Sequence, residues 1–296
     1  MQKIIFYVSV FSLVLSMAFG IISCRTAPPP AAEETPSESK AVSPPPPPPE
    51  PGAPVLSVSF SPRFFSPDGD GENDELFVTI SCRDESPIEE WRIEIREPEP
   101  PYLLFSEWSG KGSPPAEIVW DGYSSKGELV QSATDYPFTL TVTNIYKKSS
   151  TFSGVIEVDV LVLLEGDRLR VQVPSILFGP NVGNFNLLDE DQLFRNDYIL
   201  RRIALVLNKF DTYKVYVEGH ANLTAPTENG RRIEQERELR PLSELRAIHV
   251  VDYLVRLGVD RSRLTPFGIG GARPVVPYED RNNWWKNRRV EFILVK

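Results

Sequence analysis

A proline-rich stretch near the N-terminus divides this chain into parts that can fold and a part that cannot. Residues 25–54 contain the triplet Pro28–Pro30, the unbroken run Pro44–Pro49 and further prolines among alanine, serine and glutamate. Such a segment cannot bury a core and prefers the extended polyproline II conformation. At about 3.1 Å per residue it reaches roughly 90 Å when fully extended. The sequence therefore predicts a spacer; the alternative is a proline-rich ligand for a partner's aromatic groove.

The first 23 residues have the layout of an export signal. Lys3 gives a positive start, Ile4–Phe19 is an apolar run, and small residues lie close before Cys24. The segment Ile21–Cys24 resembles the lipobox of bacterial lipoproteins. This resemblance implies that Cys24 is lipidated, begins the mature chain and anchors it to a membrane. A retained transmembrane helix is the alternative, because the apolar run is nearly long enough to span a bilayer.

Charge and cysteine content exclude several classes of protein. The net charge is -9 and the isoelectric point is about 5.0, so no overall positive field exists to bind nucleic acid. The chain has two cysteines, Cys24 and Cys82. If Cys24 carries lipid, Cys82 has no intramolecular partner, which excludes a disulfide scaffold and a cysteine-based metal cluster.

Residues 55–170 repeat short strand-like patterns between turn residues. The alternation of apolar and polar side chains is clear in Trp91–Arg96, as expected for a strand with one buried face. Regular strand spacing with glycine and proline turns predicts an all-β, immunoglobulin-like sandwich. The predicted strands are Val55–Phe60, Leu76–Ser81, Trp91–Arg96, Ala116–Trp120, Phe138–Asn144 and Gly154–Val162.

An acidic, glycine-rich loop separates the first two of these strands. Its carboxylates stand at alternate positions: Asp68, Asp70, Glu72 and Asp74. This spacing suits a calcium loop, although Asn73 occupies the position where an EF-hand has glycine. Calcium binding and an acidic, solvated turn therefore both stay open. Together with Trp120–Gly122, the segment Phe65–Asp74 resembles the Ig-like modules found at the ends of bacterial cell-surface proteins.

Residues 174–296 alternate strands and helices, unlike the all-β region before them. The predicted strands are Ser175–Phe178, Lys214–Glu218, Leu264–Gly268 and Arg289–Val295, and the predicted helices are Asp189–Lys209 and Ser243–Leu257. Ser243 is placed to cap the start of the second helix and Gly258 its end. This order predicts an α/β sandwich with helices on one face of a sheet. The chain is therefore expected to be multi-domain.

Five motifs occur in order within this region: Val217–Asn222, Leu242–Ala247, Gly258–Leu264, Gly268–Pro274 and Asn287–Glu291. Together they resemble the OmpA-like peptidoglycan-binding domain, which is shared with the peptidoglycan-associated lipoprotein. The resemblance covers residues 174–296 and implies a βαβαββ fold. It also implies non-covalent binding of the peptidoglycan stem peptide.

Arg246 is the main candidate for ligand binding. It follows the predicted helix start at Ser243, where free backbone N–H groups and the helix dipole favour an anion. A fixed guanidinium forms a bidentate clamp for a carboxylate. The resemblance implies that this carboxylate belongs to the diamino acid of the stem peptide.

The sequence departs from the family pattern at Asn222, where the family has an aspartate that takes the ammonium group of the same diamino acid. An amide donates and accepts hydrogen bonds but supplies no ion pair. Weak binding, a different diamino acid and lost binding are therefore alternatives. The connection Leu223–Arg240 is also longer than usual, which indicates a charged helical excursion or a solvated surface helix.

The resemblance places further residues around the site: Leu242, Ser243, His220, Arg288 and Arg289. In the family, the histidine at the position of His220 is usually a structural residue that supports the loop. Of Arg288 and Arg289, one is expected to face the site and the other to face solvent; the sequence does not say which.

The functional expectation is a non-enzymatic lipoprotein of the outer membrane that faces the periplasm and binds the wall. The alternative is the same fold with an altered pocket, which would serve as a protein-interaction or surface-adhesion module for envelope proteins. A wall hydrolase would need a nucleophile and base or a metal set. The sequence contains no Ser/His/Asp, Cys/His or HExxH arrangement.

Overall fold

A computed structural model of the chain describes residues 52–296. The predicted export signal, Cys24 and residues 25–51 of the spacer lie outside the described residues. Within the described residues, no helix combines the length and the apolar character needed to cross a membrane.

Residues 55–157 form two antiparallel sheets that face one another across a shared core. The strands are β1 (Val55–Ser61), β2 (Leu76–Arg83), β3 (Ile88–Arg96), β4 (Leu104–Lys111), β5 (Glu117–Trp120), β6 (Asp135–Asn144) and β7 (Ser149–Glu157). One sheet has the order β1-β2-β5 and the other β4-β3-β6-β7. Alternate side chains such as Val78, Ile93 and Leu140 enter the core, which explains the period-two pattern. The immunoglobulin-like assignment stays a prediction.

Two strands of this β-sandwich differ from the sequence-based expectation. β4 was not predicted, because its inward residues Phe105 and Trp108 are separated by polar Ser106 and Glu107. As an edge strand it pairs with β3 alone, so it needs only a few apolar side chains. β7 ends at Glu157, before the predicted limit at Val162.

The C-terminal part, residues 163–296, is the α/β sandwich that the sequence predicted. Its elements are β8 (Leu163–Glu165), β9 (Arg168–Val173), α1 (Glu190–Lys209), β10 (Lys214–His220), α2 (Glu228–Glu234), α3 (Arg240–Arg256), β11 (Leu264–Gly270) and β12 (Val290–Val295). The sheet order is β11-β10-β12-β9-β8, with β10 and β11 parallel and the other pairs antiparallel. Buried side chains of α1 and α3, such as Leu200 and Val250, pack in one core with sheet residues such as Phe292.

The first strand of this sheet is not the predicted one. β9 pairs with β12, with Val173 opposite Val290, whereas Ser175–Phe178 has no strand structure. The predicted boundary at residues 170–174 is therefore wrong, because the α/β sheet already begins at β8. Pro174, which has no N–H to donate, directly follows β9.

The helix that carries Arg246 starts well before the predicted Ser243. α2, a π-helical turn at Gln235–Leu239 and α3 follow one another without a break in helical backbone conformation. The start is capped by Thr227, whose hydroxyl oxygen accepts a hydrogen bond from the Gly230 N–H at 3.1 Å. The predicted helix start at Ser243 is therefore wrong. The connection Leu223–Arg240 is largely helical, as both alternatives require, and no residue of α2 or of the π-helical turn is buried.

The β-sandwich and the α/β part belong to one compact unit. A buried lysine, Lys286, crosses between them: its Nζ donates to Glu97 Oε1 at 2.9 Å and also bonds Glu128. On another side, Arg202 of α1 pairs with Asp159 and lies with its guanidinium carbon 4.0 Å from the ring centre of Phe64. These contacts hold segments of the β-sandwich side against α1 and against the segment before β12.

Candidate functional site

A cleft of about 390 Å³ lies at the junction of the β-sandwich and the α/β part. Its wall includes the loop that follows β9, Arg246 of α3 and the segment before β12. The residues that matter for its chemistry are Glu99, Phe178, Arg246, Trp285 and Arg288. The cleft is therefore polar and carries positive charge from two elements that are distant in sequence.

The guanidinium of Arg246 is oriented by the loop after β9. Its Nε donates to the carbonyl of Val182 at 3.1 Å and its Nη2 to the carbonyl of Gly179 at 3.2 Å. Its central carbon lies 4.9 Å from the ring centre of Phe178. Within residues 52–296, Arg246 forms no ion pair and its Nη1 makes no hydrogen bond. The Nη1 edge of the guanidinium therefore stays available for a hydrogen-bond acceptor.

A second arginine adds to the positive charge. Burial, followed by the positive charge of Arg288, lowers the pKa of Arg246, although an arginine stays protonated at neutral pH. Arg288 is exposed and has no ion-pair partner among residues 52–296. Because the two like charges repel one another, a bound anion would be stabilised by both.

The structure also distinguishes the two neighbouring arginines. Arg288 lines the open cleft, whereas Arg289, which borders it, is buried. Arg289 Nε pairs with Glu291 at 2.6 Å, and its Nη2 donates to the carbonyl of Arg273 at 3.1 Å. Arg289 is thus neutralised within the fold, whereas the sequence predicted that one arginine of the pair would face the site and the other would face solvent.

Asn222 does not line the cleft. It is buried, its Oδ1 accepts a hydrogen bond from Asn287 Nδ2 at 2.7 Å, and its Nδ2 donates to the carbonyl of Leu223 at 2.8 Å. Asn287 in turn accepts hydrogen bonds from the N–H groups of Val275 and Val276. The structure therefore uses Asn222 to hold loops together, which corrects its prediction as a direct partner of the ligand.

Two residues of the predicted helix start have structural roles as well. Ser243 is fully buried; its hydroxyl donates to the carbonyl of Arg240 at 2.9 Å and accepts from the Gly270 N–H at 2.9 Å. Leu242 is half-buried on α3 and does not line the cleft. Because the helix begins at Glu228, Arg246 has no free helix N-terminus beside it, so the predicted backbone donors are wrong.

His220 is likewise part of the interior. Its Nε2 lies 3.5 Å from Glu218 Oε2 and 3.8 Å from Glu291 Oε2, a grouping that could hold a metal ion. Both carboxylates already pair with arginines, Glu218 with Arg273 and Glu291 with Arg289. The cluster is therefore an ion-pair network, and His220 does not line the cleft.

This network makes stability depend on pH. Burial lowers the pKa of His220, and the nearby Glu218 carboxylate opposes this shift, so the imidazole takes up a proton less readily in the folded than in the unfolded state. The unfolded chain takes up a proton near pH 6.5, so stability falls as pH drops below that value, by at most about 1.4 kcal/mol per pH unit. We expect His220→Gln to show a weaker loss of stability than the wild type between pH 7.5 and 5.5, measured by urea unfolding. Burial also lowers the pKa of His249, which is less buried than His220, so a His249→Gln variant should lose a smaller part of the wild-type slope. Equal slopes in wild type and His220→Gln would contradict this assignment.

The acidic loop of the β-sandwich brings together three of its four predicted ligands. Carboxylate oxygens of Asp68, Asp70 and Asp74 lie within 4.8 Å of one another, whereas Glu72 is not part of the group. Asp68 Oδ1 is buried without a hydrogen-bond partner, and burial raises the pKa of this carboxyl group. Asp74 accepts hydrogen bonds from the N–H groups of Gly69 and Gly71, both at 2.8 Å. Calcium binding stays a prediction for the three aspartates, and the geometry does not include Glu72.

Sequence reasoning missed several parts of the cleft. Glu99 comes from the β3–β4 loop of the β-sandwich, and no motif marks it. The backbone carbonyls of Gly179 and Val182, which orient Arg246, have no sequence signature either. Neither contribution follows from local sequence, because both depend on how distant segments pack.

Comparisons with known proteins match the C-terminal part of the chain. Residues 192–288 match the family model described as the OmpA family. A peptidoglycan-associated lipoprotein of Mesorhizobium japonicum is 37% identical over 120 residues, which cover 40% of this chain and 66% of that protein. A peptidoglycan-associated lipoprotein of Agrobacterium fabrum is 34% identical over 120 residues, which cover 40% of this chain and 63% of that protein. The chain thus spans just under two thirds of the length of these relatives.

A solved structure from Desulfovibrio vulgaris, described as a putative MotB-like protein, is also similar to this chain. It is 24% identical, covers 46% of this chain and 81% of its own, and superposes with a TM-score of 0.37.

Proposed function

Because the C-terminal part of this chain carries an OmpA-family domain, we propose that the protein binds the peptidoglycan stem peptide without covalent chemistry. The observation that carries this proposal is the pair Arg246 and Arg288 in an open cleft, neither with an ion-pair partner in residues 52–296. A carboxylate fits the free edge of the Arg246 fork, with Arg288 as a second cation. The names of the two relatives support a peptide of the cell wall as the source of that carboxylate.

The N-terminal region extends the proposal to a tether. A lipid on Cys24 would hold the chain at the outer membrane, and the proline-rich spacer would let the cleft reach the wall. With one end held in the membrane, binding of the wall becomes an intramolecular event at high effective concentration. The proposed location is the periplasmic side of the outer membrane.

Retention on purified sacculi tests the clamp. We expect Arg246→Ala and Arg288→Ala, each made in the full-length protein in detergent, to weaken sedimentation with sacculi by about 10- to 100-fold. This is the range for a lost charge-assisted hydrogen bond. Arg288→Ala is the cleaner variant, because Arg288 is exposed and holds no loop in place.

Arg83→Ala is the matched control, since it removes one exposed arginine of the β-sandwich that has no partner within residues 52–296. It should sediment like the wild type. Equal retention of the wild type and both cleft variants would reject the clamp. Release of soluble muropeptides during the incubation would show hydrolysis instead of binding alone.

One observation favours the alternative function as an interaction module. Phe194, Tyr198 and Leu205 of α1 are exposed by 75%, 41% and 69% and follow one another along one face of the helix. Exposed apolar side chains on one surface mark contacts with other proteins more often than isolated ones do. Under this alternative, retention on sacculi would not depend on Arg246, so the same experiment separates the two functions.

A further inference from the structure

The ligand cleft has an acidic wall that the C-terminal part does not supply. Glu99 lies in the loop between β3 and β4 of the β-sandwich, and it lines the same cleft as Arg246 and Arg288. It is half-buried. Of the described residues that line the cleft, it is the one acidic residue. The cleft therefore combines one negative charge from the β-sandwich with positive charges from the α/β part.

The carboxylate of Glu99 is not used by the fold. Within residues 52–296 this carboxylate forms no ion pair and accepts no hydrogen bond. The backbone carbonyl of Glu99 accepts a hydrogen bond from the N–H of Tyr102 at 2.9 Å. A half-buried carboxylate without a partner loses hydration and gains nothing in return. Such a group is stabilised when a cationic ligand binds beside it.

A buried ion pair fixes the position of this loop. Glu97, two residues before Glu99, accepts a hydrogen bond from Lys286 Nζ at 2.9 Å, and the side chain of Lys286 is only 2% exposed. Lys286 lies two residues before Arg288 in the α/β part. The Glu97–Lys286 pair thus holds the loop of Glu99 against the segment of Arg288, so the two unpaired charges line the same cleft.

This arrangement bears on the missing aspartate of the family pattern. The residue at that position, Asn222, is neutral and its amide is committed to Asn287 and Leu223. We propose that Glu99 supplies the ammonium-binding carboxylate in its place, so that the β-sandwich completes a site for a zwitterionic amino acid. The carboxylate of that amino acid binds Arg246 and Arg288, and its ammonium group binds Glu99. This inference rests on the proposed function and names the ligand class of the same cleft: a stem peptide with a free diamino acid end.

Selective acetylation of the ligand tests this inference without altering the protein. The probe is a synthetic stem peptide that carries a diamino acid with a free carboxylate and a free ammonium group, compared with the same peptide acetylated on that amine. Acetylation removes the positive charge and leaves the carboxylate. We expect the full-length wild type to bind the acetylated peptide about tenfold more weakly by calorimetry, the loss expected for one charge pair in a partly buried site.

Variants then assign this discrimination to Glu99. Glu99→Gln should bind the free peptide about tenfold more weakly than the wild type and should no longer distinguish the two peptides. Glu117→Gln, which removes an exposed and unpaired acid of β5, is the charge-matched control and should behave like the wild type. The inference is overturned if the wild type binds both peptides equally, or if Glu99→Gln still discriminates between them.

The two proposals fail in different ways. If Arg246→Ala loses both peptides while Glu99→Gln matches the wild type, the clamp stands and the role of Glu99 is rejected. If Arg246→Ala binds both peptides like the wild type, or the wild type binds neither, the clamp is rejected and Glu99 with it.

Discussion

Replacement of Lys286 by alanine is expected to destabilise the protein by about 3–5 kcal/mol, the usual cost of removing one partner of a buried ion pair. Lys286 is the cation between Glu97 and Glu128, and Glu97 is 5% exposed. Without the ammonium group, the Glu97 carboxylate would stay buried with no counter-charge. For a folded part of this size the melting temperature should fall on the order of 10 °C.

The pH dependence gives this prediction a second signature. Burial already raises the pKa of Glu97, and the hydrogen bond from Lys286 opposes that rise. In Lys286→Ala the opposing contribution is lost, so Glu97 takes up a proton more readily in the folded state. A folded state that binds the proton more tightly gains stability as pH falls. The variant should therefore lose less stability at pH 5 than at pH 8.

The control is a double variant, Lys286→Met with Glu97→Gln, which removes both buried charges. It should recover most of the lost stability, because Glu128 is partly exposed and can be hydrated. The stabilities of the wild type, Lys286→Ala and the double variant are measured by thermal unfolding. If Lys286→Ala were as stable as the wild type, the stability of the protein would not depend on the Glu97–Lys286 pair.

Much of the fold can be predicted from local sequence patterns, but the buried ion pair of Lys286 cannot. Strand alternation as in Trp91–Arg96 identified most strands, because one face of each sheet is buried. Glu97 and Lys286 are 189 residues apart in sequence. The sequence around each residue does not distinguish it from an exposed charged residue. Only the packing of the two parts reveals that they meet, and the same holds for Glu99 and Arg288.

The helix of Arg246 shows a different reason for error. Ser243, directly before the apolar positions of the predicted helix, has the pattern of an N-cap. In the structure the helix passes through Pro241, because the π-helical turn before it shifts the hydrogen-bond register, with the Arg240 N–H donating to the carbonyl of Gln235. The motif thus identified an arginine that lines the cleft, but the free helix end assumed beside it is absent from residues 228–256.

Substitution of Gly219 by alanine should be among the most damaging single-methyl changes in the α/β part, with an expected loss of about 3 kcal/mol. Gly219 lies on β10 directly beneath α3. A Cβ there would stand 2.9 Å from the carbonyl carbon of Ser243 and closer still to its carbonyl oxygen. Because these are backbone atoms of a helix, no side-chain rotation relieves the overlap, and α3 has to move away from the sheet.

The same close approach recurs on the neighbouring strand, where a Cβ at Gly268 would lie 2.8 Å from the backbone nitrogen of Glu244. α3 therefore packs against two strands at glycine positions. This close contact fixes the position of α3, and with it the position of Arg246 in the wall of the cleft. Gly219→Ala is expected to weaken binding to sacculi beyond its effect on stability, since a displaced α3 moves the guanidinium away from the carbonyls of Gly179 and Val182.

Urea unfolding measures the stability change, with Gly52→Ala as the matched control because a Cβ at Gly52 meets no atom within 4 Å. The control should stay within about 0.5 kcal/mol of the wild type. If Gly219→Ala were as stable as this control, the helix could not be held at the distance from β10 that the structure shows. If it were destabilised yet bound sacculi fully at a temperature where it is folded, the position of Arg246 would not depend on this contact.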